Sequence, residues 1–193
     1  NLIKGKLYYM SGKYTLAEKF FKKSLNKTND FFGYREYADF LLNRNRLEES
    51  RKIYDEIIKA KPEDIPSILG LAAISEQANK LGDALKILKS NFKLNNPEIS
   101  LKAAKIYLKE ENYPSAILLA DKVLQSVGRN NDALFIKVIA MVSVYNDLPS
   151  DQNKKILLSM KSYIEKENLQ FNPASIALIE IENCLKNYQK VIE

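Results

Sequence analysis

The stretch GKYTLAEKFFKKSL, from Gly12 to Leu25, places a small residue, Ala17, in the middle of an apolar helical face. Tyr14 stands three residues before Ala17 and Phe21 four residues after it, so all three share one side of a helix. A helix that needed only an apolar stripe would accept a large side chain at each of these positions. The small central residue therefore indicates that another helix approaches closely at this point.

The same pattern recurs at an interval of about 34 residues. The central small residue returns as Ser50, Ala84 and Ala116, with spacings of 33, 34 and 32 from one copy to the next. A second series of small residues stands twelve positions before the first; its members are Gly5, Ala38, Ala72 and Ala104. A fixed period with two helical patterns in each copy predicts a repeat of antiparallel helix pairs.

This pattern resembles the tetratricopeptide repeat (TPR) family. The resemblance covers residues 1 to about 128 in four consecutive repeats, with a weaker fifth repeat from about residue 131. The sequence departs from the family pattern at Lys4, Asn29 and Asn91. The resemblance implies an all-α fold in which helix pairs stack into a right-handed superhelical solenoid, and the first helix of each repeat lines the inner wall.

We expect one solenoid domain over residues 1–193. The predicted repeats are about 1–30, 31–64, 65–96 and 97–129, with a degenerate repeat at 131–168. A capping helix is predicted at about 172–192, because Asn172 and Pro173 form a helix start before an amphipathic stretch. Cys184 lies near the edge of the apolar face of that helix, and we interpret it as structural.

The composition argues against an enzyme. The 193 residues are 46% hydrophobic and 28% charged, as in ordinary soluble globular proteins. The chain has no histidine and one cysteine, which removes the commonest general base and metal ligand and rules out an internal disulfide. We predict no catalytic residue, no metal site and no cofactor.

The resemblance assigns function to wall positions of the first helices that do not serve the packing stripe. These candidate partner-binding residues are Tyr9, Phe32, Arg35, Asp39, Leu42, Leu69, Ala73, Leu101, Lys105, Leu108 and Phe135. Most of them are apolar, and a large exposed apolar patch rimmed by charge marks a contact surface. We therefore predict a non-enzymatic scaffold or adaptor that binds a peptide or helix of another protein in an apolar groove. The charged residues expected to orient this partner are Lys6, Arg35, Asp39 and Lys105.

An alternative is that the chain fills part of this groove itself. Phe135, Ile139 and Val142 lie in a predicted helix without a polar face. For these three residues we give equal weight to a partner and to the chain after Phe171, folded back onto the wall.

Positive charge is concentrated at the N-terminal end of the chain. Residues 1–30 hold seven lysines against two acidic residues, a net charge of +5 out of +6 for the whole chain. The basic surface consists of Lys19, Lys22, Lys23 and Lys27 at helical spacing. A solvated helix face explains this stripe most simply. The alternatives are an anionic surface such as lipid headgroups, an acidic partner, or weak and salt-dependent nucleic-acid binding without sequence specificity.

The first repeat is already several residues into its first helix at Asn1, so we expect a fragment of a longer chain. The setting that we favour is a bacterial cell envelope, with the protein on the periplasmic side and anchored through residues before Asn1; the alternative is the cytoplasm. The sequence leaves the identity of the partner and the oligomeric state open.

Overall fold

The computed structural model describes residues 1–25, 30–147, 151–166, 176 and 178–186. Within these residues the regular structure is helical and contains no strand, which confirms the all-α prediction. Contacts between Cα atoms divide the chain into an N-terminal half, residues 1–94, and a C-terminal half, residues 95–193. That both halves belong to one domain stays a prediction.

The N-terminal half contains three helix pairs. Its helices are α1 (Leu2–Met10), α2 (Tyr14–Ser24), α3 (Phe31–Asn43), α4 (Leu47–Ala60), α5 (Ile65–Gln77) and α6 (Leu81–Ser90), followed by a short 3₁₀ helix (Phe92–Leu94). Helix α1 packs against α2, α3 against α4, and α5 against α6. These pairs coincide with the first three predicted repeats.

The C-terminal half continues the helical pattern. Its helices are α7 (Pro97–Lys109), α8 (Tyr113–Val127), α9 (Asn131–Asp147) and α10 (Asp151–Lys166). Residues 178–186, the described part of the predicted capping helix, are also helical. Ile181 and Cys184 are buried in one apolar cluster with side chains of α9 and α10, which we call the C-terminal core. The start proposed at Asn172 and Pro173 lies outside the described residues.

The small residues that define the repeat are fully buried. Ala17, Ser50, Ala84 and Ala116 have no exposed surface, and the same holds for Ala38, Ala72 and Ala104. In the second repeat the Ser50 hydroxyl donates a hydrogen bond of 2.8 Å to the carbonyl of Ala38. The two series of small residues therefore meet across the helix pair, as the spacing predicts.

The first helix of each of the four repeats ends in the same turn. A residue with positive φ stands five positions before each central small residue; the four residues are Gly12 (φ 74°), Asn45 (58°), Asn79 (57°) and Glu111 (58°). The next N–H then donates to the carbonyl five residues earlier, as from Lys13 to Tyr8 and from Asn112 to Tyr107, both at 2.9 Å. Glycine adopts this left-handed conformation without strain, whereas for Glu111 it costs about 1 kcal/mol.

The first helices of the second, third and fourth repeats begin with equivalent caps. The side chains of Asp30, Asp64 and Asn96 each accept a hydrogen bond from the backbone N–H three residues later. Such caps satisfy a backbone donor that has no partner within the helix. The caps and the left-handed turns together fix where each first helix starts and stops. None of the helices in the described ranges is long and apolar enough to cross a membrane.

A charged cluster joins the first two repeats on the side of α2. The Glu18 carboxylate accepts hydrogen bonds from Arg46 (2.8 Å) and from the hydroxyl of Tyr37 (3.0 Å), and it pairs with Lys22 at 2.9 Å. Arg46 also makes two hydrogen bonds of 2.7 Å to Glu49. The bond from Arg46, with those from Lys22 and Tyr37, lowers the pKa of Glu18 from 4.5 to about 2. The ionised form of Glu18 is thus stabilised by folding.

We expect Glu18→Gln to lower the free energy of unfolding at pH 7 and to lose that effect in acid. Because the folded pKa of Glu18 is depressed, its contribution is present above about pH 4.5 and disappears as the pH falls through about 2. Urea unfolding of both proteins at several pH values checks this. The control is Glu48→Gln, an exposed acid of α4 with no ion pair among the described residues. A constant difference between wild type and Glu18→Gln down to pH 2 would contradict the argument.

Candidate partner-binding walls

The predicted site residues lie on two walls, one in each half of the chain. The N-terminal wall consists of Tyr9 on α1, of Phe32, Arg35, Asp39 and Leu42 on α3, and of Leu69 and Ala73 on α5. The C-terminal wall consists of Leu101, Lys105 and Leu108 on α7 and of Phe135 on α9. The residues from one helix follow each other at intervals of three or four, so they share one side of that helix.

The N-terminal wall is apolar but only partly open. Phe32 is 52% exposed, whereas Tyr9, Leu42 and Leu69 are half-buried. The Lys6 ammonium lies 5.5 Å from the centre of the Phe32 ring, within the range of a cation–π interaction. Tyr9 contacts the buried Phe40 edge to face, with ring centres 5.6 Å apart. The exposed apolar patch is therefore smaller than the sequence predicts, and it is centred on Phe32.

The basic residues expected to orient a partner form ion pairs within the chain instead. Lys6 on α1 binds Glu36 on α3 at 2.8 Å, and Arg35 on α3 binds Asp64 at 2.7 Å. Asp64 is the cap of α5, and its side chain is only 1% exposed. Each pair thus connects the first helix of one repeat to the first helix of the next repeat.

The C-terminal wall repeats this arrangement. Lys105 on α7 pairs with Asp132 in the first turn of α9 at 2.5 Å. Lys105, which the sequence predicts to orient a partner, therefore binds within the chain, as Lys6 and Arg35 do. Leu101 and Leu108 are half-buried beside it. These contacts form ties between first helices rather than a free basic rim.

Part of the C-terminal wall is covered by the chain itself. Val142 is buried in the C-terminal core together with Ile181 and Cys184 of the last described helical segment. Phe135 is half-buried and packs against the same cluster. For Val142 the geometry favours the alternative in which the chain after Phe171 fills the groove.

Asp39 differs from the other charged wall residues because no basic side chain pairs with it in the described part of the chain. Its carboxylate accepts a short hydrogen bond from the hydroxyl of Tyr54, which reaches across from α4. Tyr54 is fully buried, and its ring lies directly over Gly70 of α5, where an added Cβ would overlap it. One tyrosine therefore links the wall residue Asp39 to the following repeat.

The surroundings of this pair shift the pKa of both groups upward. Burial raises the pKa of Tyr54, and the adjacent Asp39 charge adds to the shift. The pKa of Asp39 is raised because protein atoms withdraw water from its carboxylate, and nearby Glu36 contributes in the same direction. The Tyr54 hydrogen bond opposes this shift, and so do the nearby charges of Arg35 and Lys6. At neutral pH the hydroxyl is thus a donor, and the wall holds an exposed carboxyl group whose pKa is raised.

Only part of the predicted basic surface lies within the described residues. Lys19, Lys22 and Lys23 are exposed, but Lys22 is paired with Glu18, and Lys27 lies outside the described ranges. Lys19 and Lys23 form no ion pair with any residue that the structure describes. The free positive charge of this surface is therefore smaller than the count of lysines suggests.

Three strongly exposed apolar side chains lie on one side of α1, outside the predicted site. Ile3, Leu7 and Met10 are 74%, 60% and 83% exposed, and their spacing places them on one side of α1. The residues equivalent to Leu7 in the next two repeats, Phe40 and Ile74, are buried. An apolar stripe at i, i+4 and i+7 is visible in the sequence, but the predicted site residues do not include it.

Comparison with known proteins supports the fold. Neither a protein-family model nor a curated protein sequence matches the chain. A solved structure of PilF from Pseudomonas aeruginosa is similar to it at 20% sequence identity and a TM-score of 0.66, over 93% of this chain and 78% of PilF. A tetratricopeptide repeat protein from Parabacteroides merdae matches at 15% identity and a TM-score of 0.68, over 99% of this chain and 77% of that protein.

A third similar structure is YrrB, described as a TPR protein with an unusual peptide-binding site. It matches at 14% identity and a TM-score of 0.57, over 88% of this chain and 94% of YrrB. The chain has the tetratricopeptide repeat fold. The resemblance stated from the sequence is thereby confirmed at the level of the TPR fold.

Gly70→Ala is expected to destabilise the protein by about 1–3 kcal/mol, because the new methyl group would overlap the buried ring of Tyr54. The free energy of unfolding in urea measures this. Gly82→Ala is the matched control: Gly82 also lies in a helix, and a Cβ there meets no atom within 4 Å. This control should be neutral or stabilising by up to about 1 kcal/mol. Equal effects of the two substitutions would show that Tyr54 does not restrict position 70.

Proposed function

We propose that this protein is a non-enzymatic scaffold or adaptor that binds a peptide or helical segment of another protein on its walls. The observation that carries the proposal is the N-terminal wall, where exposed Phe32 and half-buried Leu42 and Leu69 lie beside charges that are already paired. Apolar surface bordered by charged residues is typical of contact surfaces. YrrB, a TPR protein of similar structure, has an unusual peptide-binding site, which supports a peptide as the occupant.

The paired charges suggest how such a wall would work. Since Lys6, Arg35 and Lys105 hold neighbouring helices together, they keep the wall in shape rather than bind the partner. A surface fixed in this way loses little conformational entropy when a partner binds. On each wall, affinity would come mainly from burial of apolar side chains of the partner, against Phe32 and Leu69 in the N-terminal half or against Leu101 in the C-terminal half.

Leu69→Glu combined with Leu101→Glu should abolish peptide binding without unfolding the protein. A library of random displayed peptides is selected on the wild-type protein, and the affinities of enriched peptides are measured by fluorescence polarisation. Because the substitutions place unpaired charges in apolar contacts, we expect the affinity to fall by more than roughly tenfold. The matched control is Leu118→Glu, which changes an exposed leucine of α8 outside both walls.

Thermal melting separates this outcome from simple unfolding. The double variant should melt close to the wild type, since Leu69 and Leu101 are only half-buried. Unchanged peptide affinity would refute the proposed walls. So would a loss of binding that follows only from a collapse of the melting temperature.

A second candidate function uses the first repeat. Lys19 and Lys23 are exposed without ion pairs among the described residues, and exposed Ile3, Leu7 and Met10 belong to the same repeat. Lysines near exposed apolar side chains suit an anionic bilayer surface. We propose a bacterial envelope as the setting for such a contact.

Lys19→Glu with Lys23→Glu should remove binding to vesicles that contain phosphatidylglycerol, measured by sedimentation. Vesicles of phosphatidylcholine alone should bind neither protein, because the attraction is electrostatic. Lys52→Glu with Lys59→Glu, two exposed lysines of α4, makes the same change of charge elsewhere. An equal loss of vesicle binding in both double variants would show that binding depends only on the net charge of the protein. Binding of the wild type to DNA but not to vesicles would favour the nucleic-acid alternative.

A further inference from the structure

We propose that the N-terminal wall selects partner segments that carry a lysine or arginine, and that the Asp39 carboxylate is the group that recognises this positive charge. The inference rests on the proposed function, because it names the chemistry of the segment that the wall would bind. It assigns to Asp39 a role different from that of the other charged residues around it.

One carboxylate of the wall, that of Asp39, forms no ion pair with a described residue, although the charges of Arg35 and Lys6 act on it at longer range. Lys6 is paired with Glu36, and Arg35 is paired with Asp64. Asp39 forms no ion pair with any described residue, and its single hydrogen bond comes from the neutral hydroxyl of Tyr54. Asp64 also binds Lys61 at 3.4 Å, so these six groups together carry no net charge. The wall is thus close to neutral, although the first thirty residues of the chain are strongly basic.

The Asp39 side chain is also held in one position by the hydrogen bond from Tyr54. Tyr54 is locked by burial over Gly70, and its hydroxyl binds Oδ1 of Asp39. The second oxygen, Oδ2, accepts no hydrogen bond from the residues that the structure describes. An N–H donor of a lysine or arginine could therefore bind Oδ2 while Tyr54 keeps its bond to Oδ1.

The neighbours of Asp39 strengthen such a contact. Asp39 stands between Arg35 and Leu42 on the same side of α3, and Phe32 extends the apolar surface along that side. The Asp39 side chain is exposed, so a partner can reach it, while the protein atoms around its carboxylate raise its pKa. A cation brought here by apolar contacts would interact with less screening than at an open surface.

An acidic segment is the less suitable occupant. To bind a carboxylate of the partner, Lys6 would have to leave Glu36, or Arg35 would have to leave Asp64. Asp64 is almost completely buried and would keep only its longer ion pair with Lys61 at 3.4 Å, so the loss of the Arg35 pair at 2.7 Å is unfavourable. A cationic segment requires no such rearrangement.

The test is selection of random displayed twelve-residue peptides on the full wild-type chain and on Asp39→Asn. Lysine and arginine should be enriched in peptides selected on the wild type and should return to library frequency on Asp39→Asn. Asparagine retains an oxygen that can accept the Tyr54 bond. Since the folded pKa of Asp39 is raised, its ionised form opposes folding, so a neutral residue here should not lower the melting temperature.

Measured affinities test whether Asp39 contacts the basic residue of the peptide directly. For an enriched peptide, Asp39→Asn should weaken binding by about five- to tenfold at low salt, and the difference should shrink as salt is added. Replacing the basic residue of the peptide by methionine should weaken binding to the wild type but not to Asp39→Asn. Asp55→Asn, at an exposed acid of α4 without an ion pair among the described residues, is the matched control and should change neither result.

A charge reversal provides a second variant. Asp39→Lys should select peptides enriched in aspartate and glutamate, which a purely structural role of Asp39 does not predict. Peptides that bind the wild type, depend on Leu69 and show no preference for basic residues would overturn this inference and leave the proposed function intact. If no peptide is enriched on the wild type at all, both the proposed function and this inference are overturned.

Discussion

The structure depends on the close approach of two helices within each repeat, which only short side chains at the crossing permit. Ala17, Ala84 and Ala116 are completely buried, and so are Ala72 and Ala104 of the opposing series. Where the second repeat uses Ser50, the hydroxyl adds a direct hydrogen bond to the facing helix at Ala38. Dispersion contacts in such a crossing are individually weak but numerous, and they are lost quickly when the helices separate. The periodic small residue is therefore the feature of the sequence on which the rest of the fold relies.

A second constraint acts between repeats. Aromatic side chains of the second helices fill the space that the small residues leave: Phe21 lies against Gly5 in its own repeat, and Tyr54 lies over Gly70 of the next one. Polar ties then join successive first helices, with Arg35 bound to the cap Asp64 as the most buried case. A buried pair of this kind contributes little net stability, because its desolvation offsets most of the Coulomb attraction. Its consequence is geometric: the observed arrangement of neighbouring helices brings Arg35 to Asp64, which otherwise keeps only its local ion pair with Lys61 at 3.4 Å.

The regular part of this structure could be predicted from the sequence, because it repeats. Four copies of the same small-residue pattern locate each helix pair, and Gly12 and Asn45 mark the turns by residue type. Glu111 does not, since its left-handed conformation is imposed by the turn and not by its own preference. For the site, the sequence predicts which positions lie on the wall but not which of their side chains are free to bind a partner. The charged residues that remain unpaired could not be predicted, because ion pairs such as Lys6 with Glu36 join residues thirty positions apart. Sequence spacing does not show whether such a lysine binds a neighbouring helix or is available to a partner.

The difference between periodic and non-periodic residues also explains how such a fold acquires a function. Residues that recur at the repeat interval are occupied by packing, and many charged residues near the walls are occupied by ties between helices. The two residues that we propose for recognition break the pattern: Phe32 is half exposed beside a paired lysine, and Asp39 binds a tyrosine hydroxyl but forms no ion pair with a described residue. Neither residue is needed to close a helix pair, so either can change without altering the fold. Partner choice can thus change at a few wall positions while the small residues and caps keep the framework constant.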